Sequence, residues 1–161
     1  MPNCYKLLRQ EEAATSDDKS GVTKAYCTWD EIEFLIKDLA TQLKKAKKKY
    51  DCILGITNGG IIPARLLARE FNVELIQLIP VRNKVLVKSE MPCILPENKY
   101  LIIDDIYDTG NTYNKVAGAM KGFNCDFVFL MSRFNTCSGL SSKILNHGKW
   151  IIFPWENHNL F

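Results

Sequence analysis

Histidine is scarce. His147 and His158 are the only 2 in 161 residues, and nothing in the sequence pairs either with a nucleophile, so both read as surface residues. The 6 cysteines, Cys4, Cys27, Cys52, Cys93, Cys125 and Cys137, are scattered and never form Cys-x-x-Cys, which excludes a zinc knuckle or a dithiol redox pair. Cys52 and Cys125 lie in apolar segments and read as core thiols, and the expected compartment is a reducing cytosol. No apolar run approaches the roughly 20 residues of a membrane span. Met1 to Ser20 has no apolar h-region and is not expected to act as a secretory signal. Internal repeats and low-complexity segments are absent. The balance of 21 basic and 18 acidic residues leaves a net charge of +3, too little to argue for nucleic acid. One run, Lys44-Lys45-Ala46-Lys47-Lys48-Lys49, is strongly basic. A nucleic-acid patch is one explanation; a solvated helix C-terminus is favoured, because cations there complement the helix dipole.

What remains has the composition of an ordinary globular protein, with 47% hydrophobic and 24% charged residues, and a length that suits one domain. Residues 1–25 are polar and poorly periodic and read as a tail, with a short strand near Val22 to Cys27. Thr28-Trp29-Asp30-Glu31 is a capping box. It opens an amphipathic helix to about Lys48, with Trp29, Ile32, Leu35, Ile36, Leu39, Leu43 and Ala46 at helical spacing. Asp51 to Ile56 is the first core strand. Thr57-Asn58-Gly59-Gly60 ends it, and Ile61 to Phe71 is the next helix. Two glycines there permit close approach of backbone to a ligand. The Gly-Lys-[Ser/Thr] ending of a Walker loop is missing.

Val73 to Val81 is expected as a strand. Arg82 to Asn98 reads as a pair of short strands plus a loop, standing outside the sheet as a lid. Tyr100 to Asp105 is the next core strand, and a helix runs from about Thr112 towards Gly122. Cys125 to Met131 is a fourth core strand, Ser132 to Thr136 a loop and Ser138 to His147 a short helix. Lys149 to Glu156 closes as a short strand running into a turn. Alternating strands and helices imply a parallel sheet with right-handed crossovers, and ligands bind beyond the carboxyl ends of such strands. Thr57 to Gly60, Asp104 to Thr112 and Ser132 to Arg133 all fall at those ends.

The stretch that organises the rest is Tyr100-Leu101-Ile102-Ile103-Asp104-Asp105-Ile106-Tyr107-Asp108-Thr109-Gly110-Asn111-Thr112. An apolar strand runs into two adjacent carboxylates, then a polar turn, then a helix N-terminus. The turn's N–H groups and the positive helix end suit a phosphate. Asp104 and Asp105 suit ribose hydroxyls or Mg²⁺. Tyr107 either packs or lines a ribose site.

This stretch resembles the motif of type I phosphoribosyltransferases that binds 5-phosphoribosyl 1-pyrophosphate (PRPP): an apolar strand, two acids, two variable residues and Asp-Thr-Gly-x-Thr, here without departure. From about Tyr26 to Glu156 the chain is similar to the short xanthine-guanine or hypoxanthine phosphoribosyltransferases. The resemblance implies an α/β fold, a central parallel sheet flanked by helices, with a hood or lid at about 82–98. Residues 26–161 would then form one phosphoribosyltransferase domain. It implies Mg²⁺-dependent phosphoribosyl transfer from PRPP to guanine, xanthine or hypoxanthine, as in purine salvage.

Asp104 and Asp105 would hold ribose and Mg²⁺. Asp108 would lie near the purine imidazole nitrogen as a catalytic group. Asp108, Thr109, Gly110, Asn111 and Thr112 would hold the 5′-phosphate. Thr57, Asn58, Gly59 and Gly60 match the pyrophosphate loop, in which relatives carry a cis peptide between the first and second residues. The second residue is often basic in relatives and here is Asn58, which removes one charge–charge contact. Arg133 stands where relatives commonly carry a Lys against the purine's exocyclic oxygen. Trp150, Ile151 and Glu156 fall in the base-holding segment, Trp150 stacking on the ring unless it is plain core.

The Ser-Tyr pair found in the lid of several relatives is absent between Arg82 and Asn98. The resemblance further implies a cytoplasmic homo-oligomer, dimer or tetramer, with no nucleic-acid or membrane partner. Three alternatives stay open: a PRPP-sensing regulator without catalysis, a phosphoribosyltransferase for another base, and an RNA-binding module built on the lysine run.

Overall fold

The structure, a computed structural model, describes residues 21–133 and 138–156. The tail 1–20, Cys137 and His158 lie outside the described residues. The chain forms two compact units, Glu33–Asn146 and Met1–Ile32 with His147–Phe161.

The larger unit is built on a five-stranded parallel sheet in the order β3 (Ile76–Ile79), β2 (Cys52–Ile56), β6 (Lys99–Tyr107), β7 (Asn124–Arg133), β8 (Leu140–Leu145). β2 (Cys52–Ile56) is buried at every residue, because it lies between β3 (Ile76–Ile79) and β6 (Lys99–Tyr107). A strand covered on both faces needs no polar alternation, which is why Cys52 to Ile56 reads as one apolar run. Leu54 sits opposite Ile102 on β6 and Gln77 on β3. α2 (Ile61–Phe71) crosses from β2 to β3 and buries Pro63, Ala64, Leu67 and Ala68. α3 (Asn111–Ala119) crosses from β6 to β7 (Asn124–Arg133) and buries Val116 in a cluster with Leu54, Ile56, Ile79, Tyr100 and Ile102. Burial pushes the Cys52 thiol up to about 11 and raises Cys125 as well, so both are unreactive core thiols.

Between β3 and β6 stands an antiparallel hairpin of β4 (Val81–Arg82) and β5 (Val85–Leu86), followed by a 3₁₀ turn at Lys88–Glu90. It pairs with no strand of the main sheet, in keeping with the expected pair of short strands outside the sheet. The segment Ser138 to His147 departs from expectation. It is no helix: Leu140–Leu145 forms β8, the fifth strand, parallel to β7 with Val128 opposite Leu140 and Arg133 opposite Leu145. An edge strand half in water carries serines and a lysine, so its apolar pattern is weak. The exposed hydrogen-bonding edge of β7 and two hydroxyl contacts decide the outcome. Ser141 and Ser132 share a hydrogen bond at 2.9 Å, and the Ser142 hydroxyl donates to Asp38 at 2.6 Å.

α1 (Trp29–Lys45) starts in the smaller unit, where the Thr28 hydroxyl accepts the Glu31 N–H at 3.2 Å. Leu35, Ile36, Leu39 and Leu43 are buried as the periodicity requires, whereas Trp29 is exposed and lies 6.0 Å from the Trp155 ring. The helix ends three residues earlier than expected, Lys47 adopting a left-handed φ of 53°. Lys44 and Lys45 fall in its last turn; Lys44 pairs with Glu70 and Lys48 with Asp126, so the lysine run is a solvated helix end. The smaller unit also holds β1 (Lys24–Tyr26) in parallel with β9 (Trp150–Ile152). Among the described residues no helix is long and apolar enough to cross a membrane.

Candidate active site

Two strand ends of the larger unit interlock. After β2 the chain turns through Thr57 to Gly60, and the Thr57–Asn58 peptide is cis. The Thr57 hydroxyl accepts the Val81 N–H at 2.9 Å and donates to the Val81 carbonyl at 3.0 Å, with the Ile79 carbonyl as a second acceptor at 3.3 Å. The Thr57 N–H itself donates to Ile79 at 3.0 Å. One side chain thus stitches the loop to the segment leaving β3. Glycine is required at the next corner. A Cβ on Gly59 would fall on the Asp105 carboxylate, and one on Gly60 would strike the Ile103 carbonyl oxygen and the Ile56 backbone. The loop therefore lies directly against the acidic end of β6.

At that end the Asp105 N–H donates to Asp104 Oδ1 at 3.0 Å, and the Ile106 N–H to Asp105 Oδ1 at 2.6 Å. Burial raises the Asp104 carboxyl well above the usual carboxylate range, and the adjacent Asp105 charge raises it further. A cation beside the pair would oppose both effects by favouring the ionised carboxylates. Among the described residues no group of three or more His, Cys, Asp or Glu could hold a metal by itself. A pair of carboxylates fits Mg²⁺, which binds through one or two carboxylates together with water and substrate phosphates.

The turn Asp108 to Thr112 follows. Gly110, with φ +80°, is the residue before α3, and a Cβ there would approach the Tyr107 hydroxyl to 2.5 Å. Glycine has no side chain with which to cap the helix, and the Thr109 hydroxyl reaches only the Asn111 N–H, at 3.4 Å. The N–H groups of Thr112 and Tyr113 have no intrahelical acceptor, so the α3 N-terminus presents donors and a positive dipole end to an anion. Tyr107 packs: its ring meets Phe129 edge-on at 5.2 Å and Tyr113 at 5.7 Å.

Arg133 ends β7, beside the strand that delivers Asp108. Ser132 pairs with Tyr107 in the sheet, so the next residue of each strand is also adjacent. Arg133 Nε donates to Asp108 Oδ1 at 2.8 Å; the arginine side chain is 11% exposed and the aspartate 51%. The sequence did not reveal this pair, because it depends on the register of β6 against β7. Nor did it reveal the Thr57 stitch, for which no spacing signal exists.

Trp150, Ile151 and Glu156 belong to the smaller unit. Trp150 is 55% exposed at the start of β9, which excludes the plain-core alternative, while Ile151 is buried. Glu156 turns back on its own segment, one carboxylate oxygen accepting the Phe153 N–H at 3.1 Å. The Phe153 and Trp155 rings stack at 4.9 Å.

The model of the phosphoribosyl transferase domain matches residues 22–138. A xanthine-guanine phosphoribosyltransferase of Idiomarina loihiensis is 24% identical over 143 residues, covering 83% of this chain and 87% of its own. Another, of Nitratidesulfovibrio vulgaris, is 26% identical over 136 residues, covering 81% and 83%. The crystal structure of a purine phosphoribosyltransferase from Pyrococcus horikoshii superimposes with a TM-score of 0.66 at 26% identity, over 86% of this chain and 97% of that one. The parallel sheet with its flanking helices and outlying hairpin is the type I phosphoribosyltransferase fold, and the chain belongs to the phosphoribosyl transferase domain family as one of its enzymes.

Proposed function

We propose that this phosphoribosyltransferase acts on purines, moving a phosphoribosyl group from PRPP to guanine, xanthine or hypoxanthine with release of pyrophosphate. The observation that carries this is the interlock at neighbouring strand ends, where the glycine loop after β2 lies against the Asp105 carboxylate and the α3 N-terminus follows. A substrate with phosphate groups flanking a ribose matches donors on either side of two acids. The relatives named for xanthine and guanine point to the oxopurines.

The reaction needs no protein nucleophile: the base nitrogen attacks the anomeric carbon as pyrophosphate leaves, through an oxocarbenium-like state. The protein's work is positioning and charge stabilisation. Asp104 and Asp105 bind the ribose hydroxyls and would hold Mg²⁺ directly or through water. Mg²⁺, when bound, neutralises charge on the leaving group. Asp108 assists proton movement at the imidazole nitrogen of the base, its Oδ1 oriented by Arg133. Thr109 to Thr112 hold the 5′-phosphate and Thr57 to Gly60 the pyrophosphate. Arg133 donates to the exocyclic oxygen of the base, and the exposed indole of Trp150 offers a stacking face. Residues 82–98 act as the lid. The protein works in the cytoplasm as a dimer or tetramer.

Pyrophosphate release with PRPP, Mg²⁺ and a panel of bases tests the proposal. Turnover with an oxopurine supports it. Turnover with orotate or uracil alone overturns the base assignment and leaves the PRPP site standing. PRPP binding with no turnover on any base identifies a regulator instead.

A further inference from the structure

PRPP is charged at both ends of one ribose, so the elements that hold its 5′-phosphate and its pyrophosphate must keep a fixed separation. We propose that Lys115 is the positioning residue that keeps it. By binding the Lys84 carbonyl it ties the β4–β5 hairpin to α3 and makes the hairpin a strap between the two phosphate sites. The inference rests on the phosphoribosyl-transfer reading above.

One end of the strap is at the glycine loop, where the Thr57 hydroxyl binds both backbone groups of Val81. Arg82 and Asn83 alone separate Val81 from Lys84. Asn83 and Lys84 form the turn, with φ of 48° and 61°, and β4 pairs with β5 across it, so the path is short and stiff. The Val87 N–H closes the base of the hairpin on the Pro80 carbonyl at 2.9 Å. The other end is on α3. Lys115 lies about one helical turn beyond Asn111, the first residue of α3, and its ammonium donates to the Lys84 carbonyl. The N–H groups of Thr112 and Tyr113, which face the anion, belong to that same turn.

Packing places hairpin and helix side by side. Val116 of α3 belongs to the buried cluster against which Leu86, Met91 and Ile94 of the insertion pack, so both cover one face of the sheet. The far root of the insertion is pinned as well: the Tyr100 hydroxyl accepts the Leu95 N–H at 2.8 Å and donates to the Leu95 carbonyl at 3.4 Å. With both roots fixed, the tip of the hairpin is what remains to be held, and Lys115 holds it. Lys115 is exposed, and a hydrogen bond in water contributes little to folding. Its effect is on spacing. A ligand that occupies two sites at once gains from their matched separation, and a ligand that occupies one site does not.

The test compares the parent with Lys115→Met, Lys115→Arg, Thr57→Val and Thr57→Val/Lys115→Met. Calorimetry measures binding of PRPP, which needs both sites, and of ribose 5-phosphate and Mg²⁺-pyrophosphate, which need one each. Lys115→Met should weaken PRPP about three- to tenfold. Its affinities for ribose 5-phosphate and for pyrophosphate should stay within about twofold of the parent, as should kcat and the KM for base wherever the parent turns over. Lys115→Arg, which keeps a donor, should bind PRPP like the parent. A strap cut at one end has no further end to lose, so adding Lys115→Met to Thr57→Val should change PRPP affinity by less than about twofold.

Unchanged PRPP affinity in Lys115→Met overturns the proposal. So does an equal loss of ribose 5-phosphate, which makes Lys115 a direct phosphate contact, or a fall in Tm with every ligand weakened alike, which makes it a structural brace. Full additivity with Thr57→Val overturns it too, because the two residues then act separately. A parent that binds PRPP but uses no purine overturns the purine reading and leaves the binding tests of Lys115 in force. A parent that binds none of the three phosphate ligands overturns both.

Discussion

Replacing Asp105 by Asn should stabilise the metal-free protein while stopping turnover. Asn fills the same space beside Gly59 and keeps an Oδ1 acceptor for the Ile106 N–H. The negative charge is lost. Asp104 is held above the usual carboxylate range first by burial and second by that charge. Removing that like charge lets the Asp104 carboxyl fall back towards the ordinary range, which stabilises the fold at neutral pH and raises Tm.

The effect depends on pH in a defined direction. The folded-state pKa of Asp104 lies above its unfolded value near 3.9, so its contribution is fully present below that value. It is lost as pH rises from there to the folded pKa. The variant loses less of it, so the gap in Tm should widen from about pH 4 towards neutrality. Scanning calorimetry across that range, in chelator and then with Mg²⁺, measures it; Mg²⁺ should stabilise the parent more than the variant. A variant less stable than the parent at neutral pH, or a gap that does not change with pH, would refute the account of the acidic pair.

Gly60→Ala should cost about 2–4 kcal/mol, since its Cβ meets fixed backbone at Ile103 and Ile56, whereas Gly59→Ala should lose activity with a smaller fall in Tm, because it displaces the Asp105 carboxylate. Urea unfolding and turnover, measured on both, separate the two. Trp150→Ala should raise the KM for base about tenfold with Tm unchanged, the indole being exposed; an unaltered KM would remove Trp150 from the base site. Competition kinetics should find adenine at least about 10²-fold poorer than guanine or hypoxanthine, because its amino group leaves the Arg133 donors unmet. Preference for adenine would contradict the role given to Arg133.

Much of the larger unit was legible because its physics is local. β2, and β6 from Tyr100 to Ile103, are apolar as stretches covered on both faces must be, and the acids, turn and helix start that come next are contiguous in sequence. What stayed hidden depends on pairing. β8 reads as a polar segment until the edge of β7 gives it hydrogen-bond partners. Asp108 and Arg133 are 25 residues apart and meet only through strand register. The outward face of Trp150 was equally unreadable, since Trp-Ile-Ile has no alternation from which to choose the exposed residue.

The contact of Gly59 with Asp105 also constrains how the sequence can change. The two positions lie 46 residues apart yet occupy one volume, so they behave as a single locus. Lengthening residue 105 to Glu pushes a carboxylate into the glycine loop, and adding a side chain at 59 pushes back on the acid. A larger residue at 59 becomes acceptable only after 105 has shortened. Mutational libraries that vary residue 59 alone should therefore admit only small residues there, whereas libraries that vary both positions should recover folded pairs with a larger residue at 59 and a shorter one at 105.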